Sequence, residues 1–444
     1  MQELLYMELL GCLSEKGFSL DELVIKVEEA ISKDGAACVV KFLLMFFDET
    51  ICRRLSTGEH FEWFTQCCES PKYEFHGKRK RQLRTQIKTI EIKWCRLRCV
   101  RCGSVVVPLR DLLVLEPYQR KTAQLERVVM ETVSETAYRR ATQQLDTIGH
   151  IPIPKSTSHR WVMESDCDEI APVEEELQTL MPDGTGYKRR PDAAGEISNR
   201  GELKVVIGVN KSGDVVPFGA WGDSSWREIG EKIRNSAGSL PVAKQLMADG
   251  EPQLCEALAE LVDDEGRCHW HMVHDLDYSM WKDKAPLNER RSAQGELAGI
   301  LGIEVPAEDY HKISDEDRKE VEGKMAEAER KLDEFAATLS GMGYGTAANY
   351  VRNAQTKLFS HIRLWLKCGL MPTRTTSVIE RLMRELGRRL KKIAFGWKPK
   401  GVEKIAKIIL RRITDRQQWE QYWKQRLGLN NNVFIIMRGV KLAC

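Results

Sequence analysis

The run Glu202-Leu203-Lys204-Val205-Val206-Ile207-Gly208-Val209, the turn Lys211-Ser212-Gly213-Asp214 and the run from Val215 to Trp221 commit the middle of the chain to an antiparallel hairpin. β-Branched residues suit a pleated, packed surface, and Ser-Gly-Asp supplies the backbone freedom and side-chain hydrogen bonds a reversal requires. A short strand is expected around Asp183, a helix from Trp226 to Asn235, a strand ending at Asp249, a helix over Pro252 to Leu261 and a strand across Arg267 to Val273.

Three strands, a helix, a strand, a helix and a strand is the order of a ribonuclease-H-like α/β core. At 444 residues the chain is too long for one ordinary core. Residues 1–65 read as an N-terminal helical region, and 66–115 as a basic, zinc-ribbon-like module of strands around a cysteine turn. Residues 116–172 read as a helical DNA-binding region of helix-turn-helix type. There Leu125, Val128, Val129, Thr132, Val133 and Ala137 make one stripe, and Gly149 to Pro154 breaks it before a short helix from Ser156. The first part of the core spans 173–284, an all-α insertion spans 285–370, and 371–427 carries the final core helix and basic C-terminal helices; 428–444 is a tail. Within the insertion, Ser314-Asp315-Glu316-Asp317 is a helix N-terminal signal, and that helix is expected to end at Gly341.

The net charge is only +3, so any nucleic-acid surface has to be local. One such stretch stands out. From Lys78 to Arg101 the cations are opposed by a single acid, Glu91. A solvated face normally mixes signs, so Lys78, Arg79, Lys80, Arg81 and Arg84 are candidate phosphate ligands. The segment Thr85 to Trp94 behind them alternates polar and apolar, the period of a strand. Arg384, Arg388 and Lys391 begin a second basic zone that continues to Arg412. Trp397 and Trp419 lie near it, either to stack on bases or as core residues.

No cationic-then-apolar leader and no apolar run of membrane length are present, so a cytoplasmic, reducing setting is expected, with no membrane partner. Most of the 13 cysteines then read as small apolar residues or free thiols. Cys99-x-x-Cys102-Gly103 differs, being half of a zinc knuckle. A structural zinc takes four ligands, and Cys67, Cys68, His76 and Cys95 are candidates for the remainder. The alternative is a ribbon held by its strands without an ion.

Phosphodiester chemistry on hard divalent ions needs a few carboxylates brought to one place from strand ends and a nearby helix. Asp183 in Met181-Pro182-Asp183-Gly184, Asp249 in Ala248-Asp249-Gly250 and Glu380 in Ser377-Val378-Ile379-Glu380 fit that requirement. Ile379, Leu382, Met383, Leu386, Leu390 and Ile393 share one helix face, which puts Glu380 at the edge of the core with Arg384, Arg388 and Lys391 aligned beyond it. Singly, each acid has a simpler alternative: Pro-Asp-Gly and Asp-Gly are turn signals, and Glu380 could pair with Arg384 at i,i+4.

Ala248-Asp249-Gly250, then a helix, then Arg267-Cys268-His269-Trp270-His271 resembles the second-Asp region of Mutator-like bacterial insertion-sequence transposases, in which a Cys-x-x-His follows; Cys268 and His271 match it. Thr376-Ser377-Val378-Ile379-Glu380-Arg381, with Arg384-Glu385 and Arg388-Arg389, is similar to the final-Glu helix of that family. The helical insertion matches in place and size, so the resemblance covers roughly residues 175–412. Tyr118-Gln119-Arg120 and the run at 135–141 resemble the N-terminal region of related transposases. There are departures. Ser377 stands where the family usually has Asn, and Leu180-Met181-Pro182 is less apolar than usual before the first Asp, which leaves Asp192, Asp214 and Asp223 as competitors of Asp183.

The resemblance implies a DDE-type DNA transposase. Asp183, Asp249 and Glu380 would hold two Mg²⁺ (or Mn²⁺) ions for hydrolysis and strand transfer at the ends of a mobile element. Cys268 and His271 would serve a structural role beside that site. The implied partners are double-stranded DNA, both element ends and target, and further copies of the chain, because two ends must be held together. A prokaryotic, nucleoid-associated setting is implied too. The alternatives are a nuclease of the same fold that does not transpose, and a catalytically silent DNA-binding regulator.

Overall fold

The computed structural model describes residues 35–168, 170, 177–191, 200–237, 240–306, 310–391 and 396–428. The chain divides into two compact units, one of Met1–Val133, Tyr138–His159 and Gln425–Cys444, the other of Ser134–Ala137 and Arg160–Lys424. Residues 1–34 of the expected N-terminal helical region and 429–444 of the tail lie outside the described residues.

In the first unit, helix α1 (Ala36–Ser56) precedes strands β1 (Tyr73–Arg84), β2 (Thr89–Cys99) and β3 (Val105–Val106), which form an antiparallel sheet in that order. The strand expected over Thr85 to Trp94 is in fact a turn followed by β2, and the basic run lies inside β1. Thr85 makes the reversal, its Oγ1 accepting from the N–H of Ile87 (3.1 Å) and of Lys88 (3.2 Å). Long cationic side chains tolerate a strand whose flanks reach solvent, which local charge patterning did not reveal. Ile51 and Leu55 of α1 pack against Phe64, Tyr73, Cys95 and Leu97. The apolar run after the cysteine turn stays extended for two residues only, because Pro108 lacks an N–H and opens helix α2 (Pro108–Leu112). Three helices follow: α3 (Ala123–Glu135), α4 (Tyr138–Thr147) and α5 (Lys155–Glu164), so the expected stripe is divided just before Ala137.

The second unit is built on a five-stranded mixed sheet. In chain order come β4 (Leu177–Lys188), β5 (Arg200–Val209), β6 (Val215–Gly222), α6 (Trp226–Ser236), β7 (Ala243–Ala248), α7 (Pro252–Leu258) and β8 (Val262–Arg267). The spatial order is β6-β5-β4-β7-β8. β5 pairs antiparallel with both β4 and β6, β7 pairs parallel with β4, and β8 pairs parallel with β7. Leu180, Val206 and Leu246 face α6 and α7, where they meet Ile229, Ile233, Leu254 and Leu258. Pro182 lies beyond Leu180, the last β4 residue paired with β7, so its missing N–H leaves no gap in that ladder.

The strand expected from Arg267 to Val273 is not there. β8 ends at Arg267, and helix α8 (His269–Lys282) begins two residues later. Met272, Leu276 and Met280 show the helical period. The true strand, Val262-Asp263-Asp264-Glu265-Gly266-Arg267, carries no strand-like pattern. It is held by tertiary pairing with β7, and its acids are matched by Lys244 with Asp263 (3.0 Å), Arg363 with Asp264 (3.2 Å) and Lys357 with Glu265 (2.5 Å).

The insertion continues with α9 (Leu287–Leu301), α10 (Asp315–Gly341), α11 (Gly345–Leu358) and α12 (Ser360–Cys368), around a core of Leu276, Leu297, Leu332, Phe335, Val351 and Trp365. Ser314 caps α10 through a reciprocal capping box with Asp317. Helix α13 (Ser377–Leu390) then packs on β4 and α14 (Pro399–Thr414) on β6, with α15 (Arg416–Leu427) following. No helix among the described residues is long and apolar enough to cross a membrane.

Candidate functional site

The register of the sheet brings the acids together. β4 and β7 pair in parallel at Leu177 with Ala243, Thr179 with Gln245 and Leu180 with Leu246. The same offset carried three residues on sets Asp183 opposite Asp249, on strands about 4.8 Å apart. Strand alternation puts Asp183 on the face of Met181 and Asp249 on the face of Met247, away from the α6 and α7 side. That is the face on which α13 packs, and Glu380 stands in its first turn. Continuing the β7–β8 register places Cys268 next to Asp249, and the Cys268 N–H donates to the carbonyl of Ala248 (2.9 Å).

Asp183 is raised from 3.8 to about 6, first by burial and then by the charges of Asp249 and Glu380. The N–H of Gly184, 2.7 Å from Asp183 Oδ1, and the charge of His271 oppose this shift. Asp249 Oδ1 accepts from the N–H of Glu251 (3.1 Å). Gly250 has φ +93°, a conformation glycine adopts without strain, and a Cβ there would meet the Arg267 guanidinium, whose Nη2 donates to the Tyr350 hydroxyl (2.9 Å).

Glu380 is held by a compact network. Thr376 Oγ1 donates to Glu380 Oε1 (2.7 Å) and lies 3.3 Å from both Cys268 Sγ and His271 Nδ1. The Thr376 N–H lies 3.4 Å from the same sulfur, and His271 Nδ1 is 3.9 Å from Glu380 Oε1. Ligand atoms of Cys268, His271 and Glu380 lie within 4.8 Å of one another. On a strand Cys268 and His271 would point to opposite faces. At the start of a helix, positions i and i+3 share one side, which corrects that expectation. Hydrogen bonds from His271 and Thr376 hold the Cys268 thiol below its ordinary value against its burial, and His271 is raised, chiefly by its bond to Cys268. Thr376 and Arg267 were not singled out from the sequence, and the one local signal was a threonine directly preceding the Glu380 helix.

Of the competitors for Asp183, Asp214 sits in the β5–β6 turn beside Asn210, while Asp223 accepts from the Glu202 N–H (2.8 Å) and pairs with Arg189 (3.4 Å). Asp192 and Ile393 lie outside the described residues.

In the first unit, Cys67, Cys68, Cys99 and Cys102 converge, all four sulfurs lying within 4.8 Å of one another. Cys67 and Cys102 are 3.4 Å apart, and Cys68 and Cys99 3.8 Å. Sulfurs about 2.3 Å from a central zinc make a tetrahedron with edges of roughly 3.8 Å, so this group could hold such an ion. Backbone hydrogen bonds, first that of Cys102, lower the Cys99 thiol to about 6. Cys95 is not part of this quartet. It lies on β2 with Asp48 and Cys52 of α1, its N–H donating to Asp48 Oδ2 (2.8 Å). Distance along the strand explains the exclusion, since Cys95 stands four residues, roughly 13 Å, before Cys99, while the quartet's cysteines sit at the end of β2 and in the loops beside it. His76 is exposed on β1 and is not in the group.

Lys78, Arg79, Lys80 and Arg84 are exposed along β1, with Lys80 3.4 Å from Glu91. Arg81 is committed elsewhere. It donates to the carbonyls of Gln119 (3.0 Å) and Glu116 (2.8 Å) and lies over Trp94. On α13, Arg384 and Arg388 are exposed, Arg388 pairing with Glu385 (2.7 Å), and exposed Lys391 follows. Trp397 and Trp419 are buried, so the core alternative holds for both. The chain matches no model of a known protein family, and no curated protein matches its sequence.

Proposed function

We propose that the chain is a DNA transposase whose five-stranded sheet is a ribonuclease-H-like catalytic core, with Asp183, Asp249 and Glu380 as its carboxylate triad. The observation that carries this reading is the convergence of an aspartate within β4, one just past the end of β7 and one helix glutamate, far apart in sequence, on a mixed sheet of antiparallel and parallel strand pairs. Burial, and after it the charges of Asp249 and Glu380, raises Asp183 to about 6, which fits a site that completes itself with cations. Oxygen donors suit Mg²⁺ or Mn²⁺, and a pair of such ions supplies activation of the attacking oxygen and stabilisation of the leaving one.

The chain's own residues do the rest. Gly184 and Glu251 N–H groups fix the two aspartate side chains. Thr376, with Cys268 and His271 behind it, holds the Glu380 carboxylate toward them. Arg384, Arg388 and Lys391 on α13 meet strand phosphates. The β1 cations Lys78, Arg79, Lys80 and Arg84 anchor duplex DNA on the first unit, whose Cys67, Cys68, Cys99 and Cys102 hold a structural zinc. Two element ends have to be held together, so the acting form is a homo-oligomer.

Incubation with element-end duplexes and Mg²⁺ or Mn²⁺, with Asp249→Ala in parallel, tests the proposal. Cleavage and joining that vanish in the variant support it. Cleavage without joining identifies a nuclease, and DNA binding without any cleavage a silent regulator.

A further inference from the structure

Helix α8 carries Trp270, His274, Tyr278 and Trp281 at spacings of four, four and three residues. At 3.6 residues per turn they fall within about a quarter of the helix circumference. Trp270, Tyr278 and Trp281 are 52%, 56% and 58% exposed. Elsewhere in the same unit, Trp221, Trp226, Trp365, Trp397, Trp419 and Trp423 are each 8% exposed or less. The exposed rings are ordered in pairs. Trp270 stacks on His274 at 4.6 Å between centroids and Tyr278 on Trp281 at 5.7 Å, each pair 13° from parallel. Lys282 Nζ lies 4.5 Å from the centre of the Tyr278 ring.

The stripe starts at the carboxylate site. His271, 3.9 Å from Glu380, is the residue directly after Trp270. Trp270 and His274 also line a groove of about 480 Å³ together with Val273, Gln294, Arg374 and Thr375. Thr375 is adjacent to Thr376, which holds Glu380, and Arg374 presents an exposed cation at the groove. Flat rings, a groove of small-ligand size and flanking cations are what a strand of nucleic acid with unstacked bases requires. A smooth duplex offers no base faces to such rings.

We propose that this face of α8 binds unpaired nucleobases of the DNA strand whose phosphate lies at the carboxylates, one base entering the groove against Trp270 and His274 and the strand continuing over Tyr278 and Trp281. The location rests on the proposed catalytic reading; the stacking surface does not require it. The test is fluorescence anisotropy of the full chain with a labelled oligothymidylate and with a blunt duplex of equal length. It is run in EDTA at raised salt, which weakens phosphate contacts and leaves stacking. Trp270→Ala and Trp281→Ala are expected to weaken single-strand binding about tenfold each, Trp270→Phe to restore most of it, and duplex binding to stay unchanged.

Equal single-strand affinity in both alanine variants overturns the proposal. So does a parallel loss of duplex binding, or a change in sedimentation showing that the stripe covers a second copy of the chain. Tryptophan-dependent strand binding in a chain that cuts no DNA with Mg²⁺ supports the stacking surface and defeats only the catalytic reading.

Discussion

Asp183→Asn separates the charge of the first aspartate from its shape. The wild-type carboxyl is raised from 3.8 to about 6, chiefly by burial and then by Asp249 and Glu380. Each pKa unit corresponds to about 1.4 kcal/mol, so ionising this group in the folded, metal-free chain costs about 3 kcal/mol. The folded value lies above the unfolded one for an acid, so stability falls as pH rises from about 4 through 6 and is level above. Asn keeps the acceptor for the Gly184 N–H and cannot ionise. The variant should therefore be more stable than wild type by about 3 kcal/mol at pH 8, about half that at pH 5 and a few tenths at pH 4. At roughly 2–4 °C per kcal/mol for a unit of this size, the gain at pH 8 is roughly 6–12 °C. Thermal unfolding in EDTA across that range measures it. Mg²⁺ should narrow the gap, because the cation relieves in wild type what the substitution removes. A variant less stable than wild type, or a gain independent of pH, would refute the account of a crowded carboxylate site.

Four further outcomes are expected. Cys99→Ser or Cys102→Ser should abolish stoichiometric zinc and lower the melting temperature of the first unit, while Cys95→Ser leaves zinc content intact; elemental analysis of purified protein decides. Gly250→Ala should cost about 1–2 kcal/mol and weaken metal-dependent cleavage, because alanine is strained at φ +93° and its Cβ displaces the Arg267 guanidinium beside the Asp249 turn. Thr376→Val should reduce cleavage at least tenfold with duplex affinity unchanged, since it loses the 2.7 Å bond that aims Glu380; an unchanged rate shows that the network is idle. Arg79→Ala should weaken duplex binding and reduce its salt slope by about 1, whereas Arg81→Ala should mainly lower stability, having lost its bonds to Glu116 and Gln119. Anisotropy against salt and thermal melts separate the last two.

Local pattern was enough for the elements whose periodicity and packing agree. The β5–β6 hairpin, the α6 and α10 helices with their serine caps, and the buried stripe of α13 all announce themselves over a few neighbouring residues, because alternation, helical period and capping are local physics. The acids at 183, 249 and 380 and the cysteines at 67, 68, 99 and 102 were visible as chemistry. What local pattern could not decide was whatever depends on partners remote in the chain. β8 has a strand's backbone and an acidic loop's composition, and only β7 with Lys244, Lys357 and Arg363 makes it a strand. Its displacement moved Cys268 and His271 from opposite faces of a strand to one side of a helix start, where they reach Thr376 and Glu380. Cys95 and Cys99 share one face of β2, yet join different groups, because the roughly 13 Å of strand between them sets one against Asp48 and Cys52 of α1 and the other against the cysteines of the neighbouring loops. Residue types and spacing thus determined which chemistry this chain carries, while the sheet register, a sum of many distant contacts, decided which of those groups come within reach of one another.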